Sequence, residues 1–392
     1  MKLYKSFLSV LLILIFSHPL GMSALITAEN SAAENSLTNS FSAPEPVIQH
    51  TQSRLQNSLK RYRFNGTALI AIRGKIIFEE ATGKANFSTR IPLKLESSFQ
   101  LASASKPFTA LSIMILKERG KLNYDDKVSQ YIPEFPYPRI SIRNLLNHTS
   151  GLQNYMYLID HYWVNDSSMS NQKMLDLFVA HHLPLNNIPG RRFEYSNTGY
   201  AMLALLVEKI TKKSFADFLK TEIFDKLGMT HTFVYKRKRI EENPNQVIGY
   251  NYSGRRRHQF YHDANNDILG DKSIYSSVGD IYKFTQALNN YELVEKSTLE
   301  EAYSKAILHN KRSINYGFGW RIKDDGEHHY IFHNGAWHGF TSTITREPEE
   351  DITIILLNNT NAHIGSIKRD LLSIVHTELD YYLKPNSTLS KP

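Results

Sequence analysis

A serine and a lysine three residues apart, Ser103 and Lys106, share one face of a helix. The lysine amine then reaches the serine hydroxyl and helps to remove its proton. This activates a weak alcohol as a nucleophile without a histidine. The same spacing recurs at Ser170 and Lys173 inside a polar run, 165–172, and there chance accounts for it. A second set is Tyr195-Ser196-Asn197, between a Pro189-Gly190 turn and a glycine, Gly199, that leads into a helix. A tyrosine beside a lysine shares a proton with it and serves as base and then acid. An asparagine there holds the lysine or bonds a substrate amide. A third set is His333-Asn334-Gly335-Ala336, on or just after a strand. Gly335 would let a substrate backbone approach closely, and the Ala336 N–H would donate to an oxyanion. Each set also has a plain structural reading. Serine is a common N-cap, the Tyr-x-Asn segment could be a packed turn, and Asn-Gly commonly ends a strand.

The elements that must position these residues are legible in outline. Pro107 is tolerated only in a first helical turn, so the apolar helix that follows starts near Ser103. Its free N–H groups and dipole suit an oxyanion. Helical spacing marks 46–62, 108–119, 199–211, 214–226 and 278–289, with a closing helix over 365–382. Residues 66–87 form a hairpin turning at Gly74-Lys75, and 315–360 are rich in strands. Strands at both ends with helices between predict an α+β fold: one antiparallel sheet built from distant segments and flanked by helices, with a mostly helical lobe, about 120–290, inserted. A cleft between the two lobes is the expected place for a site.

Ser-x-x-Lys, Tyr-x-Asn and His-x-Gly in this order resemble the three motifs of class C β-lactamases and the related D-Ala-D-Ala carboxypeptidases and esterases. Accessory stretches agree: Leu146-Asn-His-Thr-Ser-Gly-Leu152, the 189–200 segment, Tyr316-Gly-Phe-Gly-Trp320 and Gly270-Asp271 with Tyr275-Ser276. The similarity covers about residues 50–380 and implies the β-lactamase/transpeptidase-like fold. It implies that Ser103 is acylated, that Lys106 and Tyr195 together are the base, and that Tyr195 returns a proton to the leaving group. Asn197 would orient Lys106 and the substrate, and the oxyanion would lie between the N–H groups of Ser103 and Ala336. The family's β-lactamases usually carry lysine where this chain has His333, while histidine there is familiar among its esterases and peptidases. A histidine is mostly neutral at pH 7 and is a poorer partner for a substrate carboxylate. The expected function is an exported serine hydrolase cleaving an amide or ester. The substrate is a small molecule or a peptide, with a peptidoglycan stem peptide first and a small ester second. A catalytically weak penicillin-binding or sensor protein is the alternative from another class.

Composition bounds the rest. The 392 residues contain no cysteine, which excludes disulfides, thiolate metal sites, a cysteine nucleophile and a lipidated cysteine. Lys2 and Lys5, an apolar run over 7–16 and small residues near Ser23-Ala24 read as a signal peptide over 1–24, or else as an N-terminal anchor. Residues 25–45 read as a flexible tether, 46–383 as the hydrolase domain and 384–392 as a tail. The protein is expected to be bacterial, periplasmic or secreted, and to meet a membrane only through its leader or an anchor. The net charge is +8. Two basic clusters, 236–239 and 255–258, read as solvated loops or as attraction to anionic envelope polymers or lipid. They lack interleaved aromatics, so no nucleic-acid partner is expected. No glycine-rich phosphate loop, Gly-x-Ser-x-Gly elbow or His-Glu-x-x-His is present, and no cofactor is expected. His328, His329, His333 and His338 cluster, but no carboxylate lies at ligand spacing nearby, so no metal is expected either.

Overall fold

A computed structural model of the protein describes residues 41–163, 169–236, 245–253, 256–261 and 263–383. The expected leader, most of the expected tether, the tail and much of the two basic clusters lie outside these residues. Phe41 is already buried and the first helix begins at Glu45, so the packed chain starts a few residues before the expected boundary at 46.

The first helix, α1 (Glu45–Arg61), is followed by a hairpin, β1 (Gly66–Ile72) and β2 (Lys75–Thr82). The turn residues are Arg73 and Gly74, both left-handed with φ of 48° and 74°. Two positive φ values match the right-handed twist of a two-residue hairpin, which places the turn one residue earlier than expected. Further along the chain lie the helices α2 (Lys106–Glu118), just after Ser103, α3 (Asn197–Thr211) and α4 (Val278–Asn289), with shorter elements between them. The chain closes with β3 (Arg321–Asp324), β4 (His329–Trp337), β5 (Phe340–Glu347), β6 (Ile352–Asn358) and α5 (Ile364–Leu383).

These strands form one sheet in the order β3-β4-β5-β6-β1-β2, antiparallel throughout. Strands from the two ends of the domain therefore meet at its centre, where Gly66 faces Asn358 and Ile72 faces Ile352. Both central strands are buried on both faces. Alternation sends Ile70 and Leu356 to one side, packed with Leu55 of α1 and Leu371, Val375 and Leu379 of α5. It sends Leu69, Ile355 and Leu357 to the other side, packed with Phe108 of α2, Leu203 of α3 and Phe284 of α4. Ion pairs Arg54–Glu378 and Arg61–Asp370 tie α1 to α5 at the surface.

The expected helix over 214–226 divides. Ser214 caps a short α-helix, Phe215–Leu219, by accepting from the Asp217 N–H, and a π-turn, Lys220–Phe224, follows. The wider turn keeps Phe218, Leu219, Ile223 and Phe224 all buried. Stretch 153–188 holds two helices, Tyr155–Tyr162 and Asn171–His181. Ser170 caps the second of these by accepting from the Lys173 N–H, so the second Ser-x-x-Lys is a helix start. No helix among the described residues is long and apolar enough to cross a membrane.

Since Leu356 sits at full burial on the face under α1 and α5, Leu356→Ala is expected to cost roughly 2–5 kcal/mol. A lower urea midpoint with an unchanged slope would register it. An unchanged midpoint would contradict the two-sided core.

Candidate active site

A single 3-10 turn, Ala102–Ser105, precedes α2, and Ala102 takes a left-handed φ of 50°. Such a conformation is strained for a residue with a Cβ and persists only where the surroundings impose it. They do so here. The Leu101 N–H donates to the Ile274 carbonyl at 2.8 Å, and the Leu101 carbonyl accepts from Ser342 Oγ of β5 at 2.6 Å. The Ser105 hydroxyl accepts from the Ile274 N–H, and Thr109 Oγ1 donates to the Gly270 carbonyl at 2.6 Å. The turn that carries Ser103 is therefore clamped between the sheet and the 270–274 segment.

Lys106 is fully buried, and its ammonium donates to Ser103 Oγ at 3.3 Å, Asn197 Oδ1 at 2.8 Å and the Asp271 carbonyl oxygen at 3.0 Å. All three acceptors are uncharged, and they come from three separate segments. The Asn197 side chain is free for this because Ser196, not Asn197, caps α3, accepting from the Gly199 N–H at 3.1 Å. The Lys106 ammonium lies 4.9 Å from the centre of the Tyr195 ring. Ser103, Tyr195, Gly335 and Ala336 all line one cleft of about 1120 Å³. Ala336 is exposed in it.

Gly335 also makes a close approach inside the chain. A Cβ there would lie 2.0 Å from the Leu101 carbonyl oxygen and 2.5 Å from Ser342 Oγ. Its missing side chain admits the turn that carries Ser103, and Gly335 itself also lines the cleft. His333 is buried behind the cleft wall. Its Nε2 lies 3.1 Å from the Tyr316 hydroxyl and its Nδ1 2.8 Å from the Asn334 carbonyl oxygen. Burial, with Lys106 and Arg321 nearby, pushes its pKa well below the ordinary imidazole value, so it is neutral. The other histidines of the sequence cluster diverge: His329 pairs with Asp324, and His338 stacks on Trp337 and Phe260.

Three residues without an assigned role belong to the site. His148 lies in the Asn-His-Thr-Ser-Gly stretch with φ of 59°, and its ring packs 4.3 Å from that of Tyr195 and 4.5 Å from that of Tyr316. Its Nδ1 accepts from the Ser196 N–H at 3.0 Å, and burial followed by the Lys106 charge holds it neutral. Lys272 is buried beside Asp271 at 3.1 Å, and Asp271 also accepts from the Tyr155 hydroxyl at 2.9 Å. Arg321 stands over the Tyr195 ring at 5.2 Å and faces the cleft. The Gly270-Asp271 stretch pointed to Lys272, and the Tyr-Gly-Phe-Gly-Trp stretch ends one residue before Arg321. Nothing in the sequence marked either side chain itself.

With this geometry established, comparison with known proteins decides the family. The Beta-lactamase family model matches residues 51–377. The chain belongs to the beta-lactamase family. It is 37% identical over 322 residues to penicillin-binding protein 4* of Bacillus subtilis, covering 79% of this chain and 71% of that protein. Two solved structures share the fold. One is EstCE1, a hydrolase with promiscuous acyltransferase activity: TM-score 0.72, 21% identity, 84% of this chain and 99% of the other. The other is D-amino acid amidase from Ochrobactrum anthropi: TM-score 0.69, 22% identity, 85% and 99%. The family and the β-lactamase/transpeptidase-like fold are thus as the sequence motifs implied.

Two outcomes check the site. Gly335→Ala is expected to displace the Ser103 turn and to lower both the melting temperature and the rate of covalent labelling. Full activity in that variant would refute the close approach. Neutral, buried His148 and His333 also make stability pH-dependent. Their folded pKa values lie below the unfolded value of about 6.5, so the unfolded chain binds protons first as pH falls. Stability is complete above that value and is lost as pH drops through it. His333→Gln should flatten the acid side of a plot of melting temperature against pH, and an unchanged slope would contradict a neutral buried imidazole.

Proposed function

We propose that this protein is an exported acyl-serine hydrolase whose first substrate class is a D-amino-acid peptide of the bacterial cell wall. The observation that carries the reading is the buried Lys106 ammonium bonded to Ser103 Oγ and held by Asn197 and the Asp271 backbone. In the proposed cycle, Lys106 and Tyr195 share one proton as an ammonium and a phenolate, and the phenolate takes the hydroxyl proton as Ser103 Oγ attacks the carbonyl carbon. The tetrahedral oxyanion sits between the N–H groups of Ser103 and Ala336. Tyr195 passes the proton to the departing nitrogen or oxygen as the old bond breaks. Water then repeats the attack on the acyl-enzyme and restores Ser103. Asn197 keeps Lys106 in place and reaches the substrate amide. His333 acts indirectly, through Tyr316 and the packing of Tyr195.

Neutral His333 removes the cation that a substrate carboxylate would otherwise meet, and Arg321 offers a replacement. It lines the cleft beside Tyr195, and Lys368 lines the same cleft further along. This supports a substrate ending in a free carboxylate. The same neutral histidine also favours a second reading, hydrolysis of a small neutral ester. Export rests on the leader expected over 1–24, and the identity to a Bacillus penicillin-binding protein fits a place outside the cytoplasmic membrane.

A fluorophosphonate or fluorescent penicillin should add one probe mass to the protein, and Ser103→Ala should abolish the adduct. Labelling that survives the substitution would sink the mechanism. A turnover panel of a D-Ala-D-Ala peptide, nitrocefin and a p-nitrophenyl ester separates the substrate readings. Arg321→Ala is expected to raise KM about tenfold or more for the peptide, since a charge-assisted bond contributes roughly 1.5–3 kcal/mol, while leaving the ester's KM alone. Equal effects on both would remove Arg321 from carboxylate recognition.

A further inference from the structure

His328, Glu347 and His376 come from three parts of the chain and meet at the end of the cleft remote from Ser103. His328 precedes β4, Glu347 ends β5, and His376 lies on α5. Along a strand, His328 is roughly 25 Å from Ala336 at ~3.3 Å per residue, so this cluster takes no part in the acyl-transfer site. The carboxylate that sequence spacing did not offer is supplied by strand pairing. Ile331 faces Arg346, which brings Glu347 beside the start of β4.

Glu347 is only 1% exposed. Its Oε1 lies 3.0 Å from His376 Nε2 and its Oε2 3.2 Å from His328 Nδ1. The two imidazole rings are 3.8 Å apart. Although Oε2 and Nδ1 face one another, neither has a hydrogen-bond partner. A buried carboxylate oxygen and an imidazole nitrogen so placed are satisfied by a proton or a metal ion held between them. Ligand atoms around a tetrahedral zinc ion, with bonds of about 2.0–2.2 Å, sit about 3.3 Å from one another, and one ligand atom from each of these three residues lies within 4.8 Å of the other two.

We propose that His328, Glu347 and His376 form a binding site for a divalent transition-metal ion of the zinc type. Two imidazoles and one carboxylate suit zinc and its neighbours and do not suit magnesium or calcium, which take oxygen ligands. Both histidines line the cleft, so the fourth position opens towards it and takes water or an anion. The ion joins the sheet to α5. Lys368, Leu372 and His376 are spaced four apart and share one stripe of that helix, and all three face the cleft. Binding therefore fixes one wall of the cleft.

The test uses untagged full-length protein freed of metal with a chelator and titrated calorimetrically with zinc chloride. Melting temperature and amide hydrogen exchange are followed in parallel. One zinc per chain, a higher melting temperature and slower exchange across α5 are expected. His376→Ala, on a half-buried helix face, should weaken binding beyond the roughly 100-fold that loss of an outer-shell partner costs. His329→Ala, next to the cluster but paired with Asp324, should bind as the parent does. Should Glu347→Gln fail to fold, His376→Ala and His328→Ala decide alone. No stoichiometric zinc binding by the parent would overturn the site and leave a carboxylate flanked by two histidines. Equally tight binding by His376→Ala would overturn it as well, and unchanged exchange in α5 on binding would overturn the pinning of the helix.

Discussion

The structure depends on one buried positive charge. Removing an ammonium from water costs several kcal/mol even after relaxation, so its acceptors must be fixed and numerous. Lys106 meets this with Ser103 Oγ, Asn197 Oδ1 and the Asp271 carbonyl oxygen, none of them ionised. A full carboxylate partner would hold the ammonium as an ion pair and compete with the serine for it. Neutral acceptors solvate the charge without that competition. The carboxylate of Asp271 is instead directed to Lys272 and Tyr155, while its backbone oxygen serves Lys106.

This constraint explains why segments far apart in sequence are bound so tightly. The 270–274 segment contacts the nucleophile turn through Leu101, Ser105, Lys106 and Thr109. The sheet holds the same turn through Ser342 and the close approach at Gly335. The left-handed Ala102 is the local cost of aiming Ser103 into the cleft while its neighbours satisfy both clamps. His148 completes the arrangement on the tyrosine side. Its neutral ring fills the space between Tyr195 and Tyr316, and its Nδ1 fixes the start of α3, from which Asn197 projects.

The parts of the fold legible in sequence are those with a strong local signal. Continuous apolar runs at 67–72 and 352–357 marked the two central strands, and Pro107 marked the first turn of α2. That Ser103, Lys106, Tyr195 and Asn197 meet in space was legible because order and flanking residues combined several weak motifs. What could not be read depends on contact across the sequence. At Gly335, only the position of Leu101 shows that the chain's own turn fills the space a side chain would take. The helices at Tyr155–Tyr162 and Asn171–His181 are short, and a core contributed by other segments defines them. Glu347 is an unremarkable strand residue until pairing sets it beside His328.

The distribution of charge around the proposed reaction centre bears on which substrates it would accept. A lysine at position 333 would place a second ammonium next to Lys106 in the same dry region, raising the cost of burying both. His333 relieves that repulsion by staying neutral, as burial and the neighbouring Lys106 and Arg321 require. The positive charge moves to Arg321, which is partly exposed and faces the cleft. An arginine keeps its charge at any relevant pH and offers a planar fork to a carboxylate. On the proposed reading, charge for chemistry and charge for recognition are thereby separated: Lys106 is buried behind Ser103, and Arg321 faces the cleft.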